Sequence, residues 1–125
     1  MNWAIQLFKL NFDHREVDAV AKVVSGGWLS MGEKILDFES SFESLLAEQS
    51  YCSAVTNCTA ALHLALLALE VTKGDEVIIP ALTFVADANV VNIVGATPVL
   101  ADCTSTDDWN MSVDSIEAKI TERTK

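Results

Sequence analysis

From Cys52 onward the sequence alternates short apolar runs with helix-forming stretches, and this alternation constrains the fold more than any other feature. Ala54-Val55-Thr56, Glu76-Val77-Ile78-Ile79 and Thr97-Pro98-Val99-Leu100-Ala101 read as strands. Ala60 to Leu69, Thr83 to Val94 and Ser112 to Thr121 read as the helices that follow them. Such repetition implies a parallel sheet with right-handed crossovers. The strands are continuous apolar runs, as expected where helices cover both faces. The predicted fold class is therefore α/β: three layers, a mainly parallel sheet with flanking helices.

The helices carry their own signals. Ala60 to Leu69 is almost entirely Ala and Leu, the best helix formers, and an all-round apolar helix is expected to be buried on more than one side. Pro80 stops the second strand, and Gly95 caps the helix that follows it. Val113, Ile116 and Ile120 are spaced to face a core. The pattern ends at Thr121, which leaves nothing before Lys125 for a further strand. Three parallel strands make a small sheet with open edges, so the chain is expected to be the truncated front of a larger domain.

Ahead of Cys52 the pattern is helical. Asp13 can cap a helix running to Val24, with Glu16 three residues on and Val17, Val20, Ala21 and Val24 on one face. Ser25-Gly26-Gly27 ends it, and Trp28 to Gly32 forms a loop. A second amphipathic helix follows, with Ile35, Phe38, Phe42, Leu45 and Leu46 on its apolar side. The organisation predicted is a helical segment over about 1–50 and a βαβαβα segment over about 52–121.

Composition excludes several classes of function. Half of the chain is hydrophobic and 21% is charged, which suits a packed core. A formal net charge of -10 argues against a nucleic-acid partner, which calls for clustered Lys and Arg. It does not exclude a small anion held by backbone N–H groups. No basic segment precedes a long apolar run at the N-terminus, and the run Leu64 to Leu69 falls far short of the roughly 20 residues that cross a bilayer, so no membrane partner is expected. Cys52, Cys58 and Cys103 lack C-x-x-C spacing, and reduced thiols in a cytoplasmic protein are expected. His14 and His63 make no recognisable metal set with them.

In open parallel sheets ligands bind beyond the carboxyl ends of the strands. Those ends carry Asn57-Cys58-Thr59, Ala81-Leu82-Thr83-Phe84 and Asp102-Cys103. The first is a turn of small polar residues entering an apolar helix, and free N–H groups with the helix dipole favour a phosphate there. Simple capping by Asn57 or Thr59 is the alternative, and the two are compatible. Phe84 can stack on a flat ring or fill a core; Asp87 suits the first turn of a helix; Asp102 is a loop cap or a ligand contact. His63 lies among Ala and Leu as a packing residue, and His14 is expected to be solvated.

At these residues the sequence resembles the DegT/DnrJ/EryC/StrS-type sugar aminotransferases, a branch of the fold-type-I pyridoxal-phosphate enzymes. Gly27-Trp28-Leu29-Ser30-Met31-Gly32 with Phe38-Glu39 resembles the family's early loop and helix. Val55 to Leu62 resembles its phosphate-cup segment, and Lys73-Gly74-Asp75-Glu76-Val77-Ile78-Ile79-Pro80 its hallmark turn and strand. Thr83-Phe84-Val85-Ala86, Gly95-Ala96-Thr97-Pro98-Val99 and the stretch from Asn110 to Lys125 continue the resemblance in order.

The resemblance implies the N-terminal part of a fold-type-I large domain and the cofactor pyridoxal 5'-phosphate. Cys58, through its backbone, and Thr59, through backbone and hydroxyl, would hold the cofactor phosphate. Phe84 would stack on the pyridine ring, and Ser30 and Gly32 would lie near substrate. Relatives often carry Gly or Ala at position 58 and a small or hydroxyl residue at position 87. The implied reaction transfers an amino group from an amino-acid donor such as glutamate to a keto group on a nucleotide-linked sugar, in a homodimer, for polysaccharide or antibiotic sugars. The Schiff-base lysine and the acid that pairs with the pyridine nitrogen would lie beyond Lys125, so no catalytic residue is assigned here and the chain alone is expected to be inactive. Lys73 and Lys125 do not match the lysine motif. A sister sugar dehydratase and a non-catalytic fragment or interaction module are the alternatives.

Overall fold

The computed structural model describes residues 5, 8–46 and 50–125 of the chain. They fall into two compact units, Met1–Ala54 and Val55–Lys125.

In the first unit, α1 spans His14–Gly26 and α2 spans Glu33–Glu43. The start of α1 follows from its sequence. Asp13 is extended, its carboxylate accepts from the Arg15 N–H, and Glu16 reaches back to the Asp13 N–H at 2.9 Å, closing the capping box. Gly27 ends the helix at φ 77°, where a residue without a Cβ carries no strain. The expected apolar face is not buried: Val17, Val20 and Val24 are exposed. α2 stops before Leu45 and Leu46, which sit in the turn after it. The predicted segment 1–50 includes residues 1–4, 6, 7 and 47–49, which lie outside the described residues.

The strand expected at Ala54-Val55-Thr56 does not form. A strand needs a neighbouring ladder, and here the Ala54 N–H and the Cys52 N–H ahead of it turn to side chains of α2 instead. Glu43 Oε1 accepts from the Cys52 N–H and Glu39 Oε1 from the Ala54 N–H, each at 2.7 Å.

The second unit holds α3 (Cys58–Ala68), β1 (Glu76–Pro80), α4 (Ala86–Ile93), β2 (Thr97–Ala101) and α5 (Val113–Glu117). β1 and β2 pair in parallel from Glu76↔Thr97 to Pro80↔Ala101, as the α/β pattern requires. Val71, Ile79, Val91 and Ala96 form the buried cluster, with Leu66, Val77, Ala88 and Val94 packed on it. α3 is not enclosed as expected: none of its residues is buried, and Leu64 and Leu67 are about half exposed. Val113 and Ile120 are exposed as well, so the expected core face of the last helix is only partly realised.

The expectation that nothing before Lys125 enters the sheet is also corrected. Thr124 bridges Glu76 in parallel, with the Glu76 N–H donating to the Arg123 carbonyl at 2.8 Å and the Lys125 N–H to the Glu76 carbonyl at 3.0 Å. β1 is therefore flanked on both sides at its first residue.

α3 and α4 end alike. In α4, Gly95 at φ 84° follows the last turn, its N–H donates to Asn92 O, and the Ala96 N–H reaches Val91 O at 3.1 Å. In α3, Glu70 at φ 56° takes the same place, its N–H donates to Leu67 O, and the Val71 N–H reaches Leu66 O at 2.9 Å. Both are Schellman closures with the apolar contact that accompanies them. Both deliver a residue, Val71 or Ala96, into one core cluster. The C-terminal ends of α3 and α4 thus lie together at the amino end of the strands, and the helices run side by side.

Candidate functional site

Because the two helices share their closing ends, their N-termini both lie toward the carboxyl ends of β1 and β2. That places Cys58, Thr59 and Phe84 at the end of the sheet where open α/β folds bind ligands.

Asn57 sets the start of α3. It is extended at φ -166°, its side-chain oxygen accepts from the Ala60 N–H at 2.9 Å, and its carbonyl accepts from the Ala61 N–H at 3.2 Å. The cap satisfies the third residue of the helix and leaves the first two. Among the described residues the N–H groups of Cys58 and Thr59 have no acceptor, and neither has the Thr59 hydroxyl. Capping by Asn57 therefore coexists with two open N–H donors. An eleven-residue helix with unpaired N–H groups at its start favours a bound anion. The donor set fits a phosphate: two backbone N–H groups and one hydroxyl, with no carboxylate in the turn. Cys58 is exposed and Thr59 half-buried.

Phe84 lies in the turn between β1 and α4 and is 75% exposed, so it is not a core phenylalanine. α4 begins at Ala86, later than the expected Thr83. Asp87 occupies its first turn and accepts from the Thr83 hydroxyl. Asp102 organises its loop: its N–H donates to the Ser115 hydroxyl at 2.9 Å, its carbonyl accepts from the Ser112 N–H, and its carboxylate accepts from the Cys103 N–H at 2.8 Å. It ties β2 to α5. His63 is half-buried on α3, and the His14 side chain is 81% exposed.

Ser30 and Gly32 belong to the first unit. They line an open groove of about 1180 Å³ with Arg15, Lys22, Trp28 and Lys34 among the other walls. Gly32 has a structural reason of its own. A Cβ there would lie 2.5 Å from Trp28 Cδ1. The indole sits against this residue while its Nε1 donates to the Met31 carbonyl at 3.2 Å.

Sequence reasoning missed Glu76. It is the one buried charged residue among those described, at 7% exposure. The Thr121 hydroxyl donates to Oε2 at 2.6 Å, and Arg123 donates to Oε1 from Nε at 3.0 Å and from Nη2. The hydrogen bond from Thr121, followed by those from Arg123, holds this carboxyl below its ordinary value against the opposing effect of burial. Its signal was a lone acid opening an apolar strand. No cluster of metal-ligating side chains occurs among the described residues, and no helix among them is long and apolar enough to cross a membrane.

A parallel β1–β2 pair with helices packed on it defines an α/β domain. The chain belongs to the DegT/DnrJ/EryC1/StrS aminotransferase family, whose pattern matches residues 11–125. It is 42% identical to GDP-perosamine synthase of Escherichia coli O157:H7, over 97% of this chain and 33% of that protein. Its fold matches a protein of Streptococcus pneumoniae assigned as a sugar aminotransferase and solved in its PLP form, with a TM-score of 0.85 and 36% identity over 98% of this chain and 31% of that one. It also matches E. coli GDP-4-keto-6-deoxy-D-mannose-3-dehydratase with bound hydrated PLP, with a TM-score of 0.81 and 25% identity over 95% and 32% of the two chains. The chain spans about a third of the length of these relatives.

Proposed function

We propose that the protein containing this chain is a pyridoxal-phosphate-dependent aminotransferase that moves an amino group from an amino-acid donor such as glutamate to a keto carbon of a nucleotide-linked sugar. The observation that carries the reading is the start of α3, where Asn57 caps one N–H and leaves those of Cys58 and Thr59 open. These two N–H groups and the Thr59 hydroxyl bind the cofactor phosphate, and the exposed ring of Phe84 stacks on the pyridine. When bound, the cofactor supplies an electron sink for proton movement at the amino-bearing carbon. This chain anchors and orients it. Ser30 and Gly32 contribute to the substrate side. A cytoplasmic homodimer is part of the same reading.

The relative named as a dehydratase favours a second reading, sugar dehydration on the same cup. Aminotransfer is preferred because the perosamine synthase and the sugar aminotransferase share 42% and 36% identity with this chain, against 25% for the dehydratase. A non-catalytic role for the chain alone predicts no cofactor affinity.

Thr59→Ala in the complete protein tests the reading. Cofactor affinity and turnover are expected to fall together. Unchanged affinity and rate would remove Thr59 from the cup.

A further inference from the structure

The turn that carries Phe84 is closed twice. The Asp87 N–H donates to the Phe84 carbonyl at 3.1 Å, and the Thr83 hydroxyl donates to Asp87 Oδ2 at 2.5 Å. Phe84 therefore sits inside a loop pinned by backbone at one level and by side chains at another. The side chain has little burial to hold it: Phe84 is 75% exposed, and it pairs with no aromatic ring among the described residues. A side chain so little buried takes much of its placement from the backbone beneath it. Asp87 suits this use, because a carboxylate in the first turn of α4 is favoured by the helix dipole and makes a strong acceptor. Thr83 suits it because a β-branched side chain is stiff at χ1.

Resting on the cofactor reading above, we propose that Thr83 and Asp87 are a positioning pair that holds the Phe84 turn so that its ring presents a face to the pyridine of bound pyridoxal phosphate. Neither residue touches the reacting atoms; both act through Phe84. The pair deepens the assignment of the site by giving Asp87 a task beyond helix stabilisation.

The experiment is titration of the complete apo-protein with pyridoxal 5'-phosphate, read as affinity and as circular dichroism induced in the cofactor absorption band. Thr83→Val and Asp87→Ala each remove one side of the pair. Each is expected to weaken binding about fivefold, the scale of one net hydrogen bond, and to change the induced band. Thr83→Ser and Asp87→Asn keep a donor and an acceptor, and both are expected to restore affinity and band. Wild-type affinity and dichroism in Thr83→Val and Asp87→Ala, beside lost affinity in Thr59→Ala, would overturn the pair and leave the cup standing. Failure of the conservative variants to restore the band would overturn it equally. Wild-type binding by Thr59→Ala as well would sink the cofactor reading itself.

Discussion

Arg123 closes on Glu76 across 47 positions of sequence, its Nε 3.0 Å from a carboxylate that is otherwise shielded from water. The same two residues share a backbone hydrogen bond, from the Glu76 N–H to the Arg123 carbonyl. Charge and ladder thus fix one register for the segment beside β1.

This contact makes stability depend on acid. The Glu76 carboxyl lies below its ordinary 4.5 in the folded protein, chiefly through Thr121 and then Arg123. Its contribution is complete above that ordinary value and is lost as pH falls through the lowered folded value. Thermal melts between pH 7 and pH 3 are expected to show a steeper acid decline in the parent than in Glu76→Gln, which is less stable at neutral pH. Parallel curves for the two proteins would remove this role.

Glu70 holds a left-handed backbone at φ 56° where glycine is the residue without strain. Glu70→Gly is expected to raise stability by about 0.5–1 kcal/mol. Glu70→Ala, which keeps a Cβ, is expected to gain nothing. Chemical denaturation of the three proteins checks the difference.

Gly32→Ala sets a methyl 2.5 Å from Trp28 Cδ1, and the indole must leave its place and its bond to the Met31 carbonyl. A cost of about 1 kcal/mol is expected, at the low end for overpacking because the indole is exposed and can move. Tryptophan emission reports the displacement.

Asn57→Ala removes the acceptor for the Ala60 N–H. A loss of about 1 kcal/mol is expected. Thr59→Ala is expected to leave the melt unchanged, since the Thr59 hydroxyl has no partner among the described residues. Melting the two variants without cofactor separates cap from cup.

What the sequence revealed follows the range of each interaction. The Asp13–Glu16 box and the closure at Gly95 rest on neighbours a few residues apart, each strand of the β1–β2 pair on its own apolar run, and all were legible. The family motifs in order were legible too, and the family match bears them out. The fate of Ala54-Val55-Thr56 was not, because the Ala54 N–H is taken by Glu39, 15 positions away, and Cβ periodicity says nothing of which carboxylate reaches a distant N–H. Thr124 beside Glu76 escaped for the same reason. At the site, residue types suggested donors at Cys58 and Thr59, but only coordinates tell that Asn57 occupies Ala60 and no earlier amide.

The shared closure of α3 and α4 has a bearing on how such a protein diversifies. Val71 and Ala96 weld the two helices at one pole, while Cys58, Thr59 and Phe84 stand at the other with no place in the buried cluster. Replacements at this second pole are therefore expected to cost little folding stability, while the welded pole keeps the frame in place.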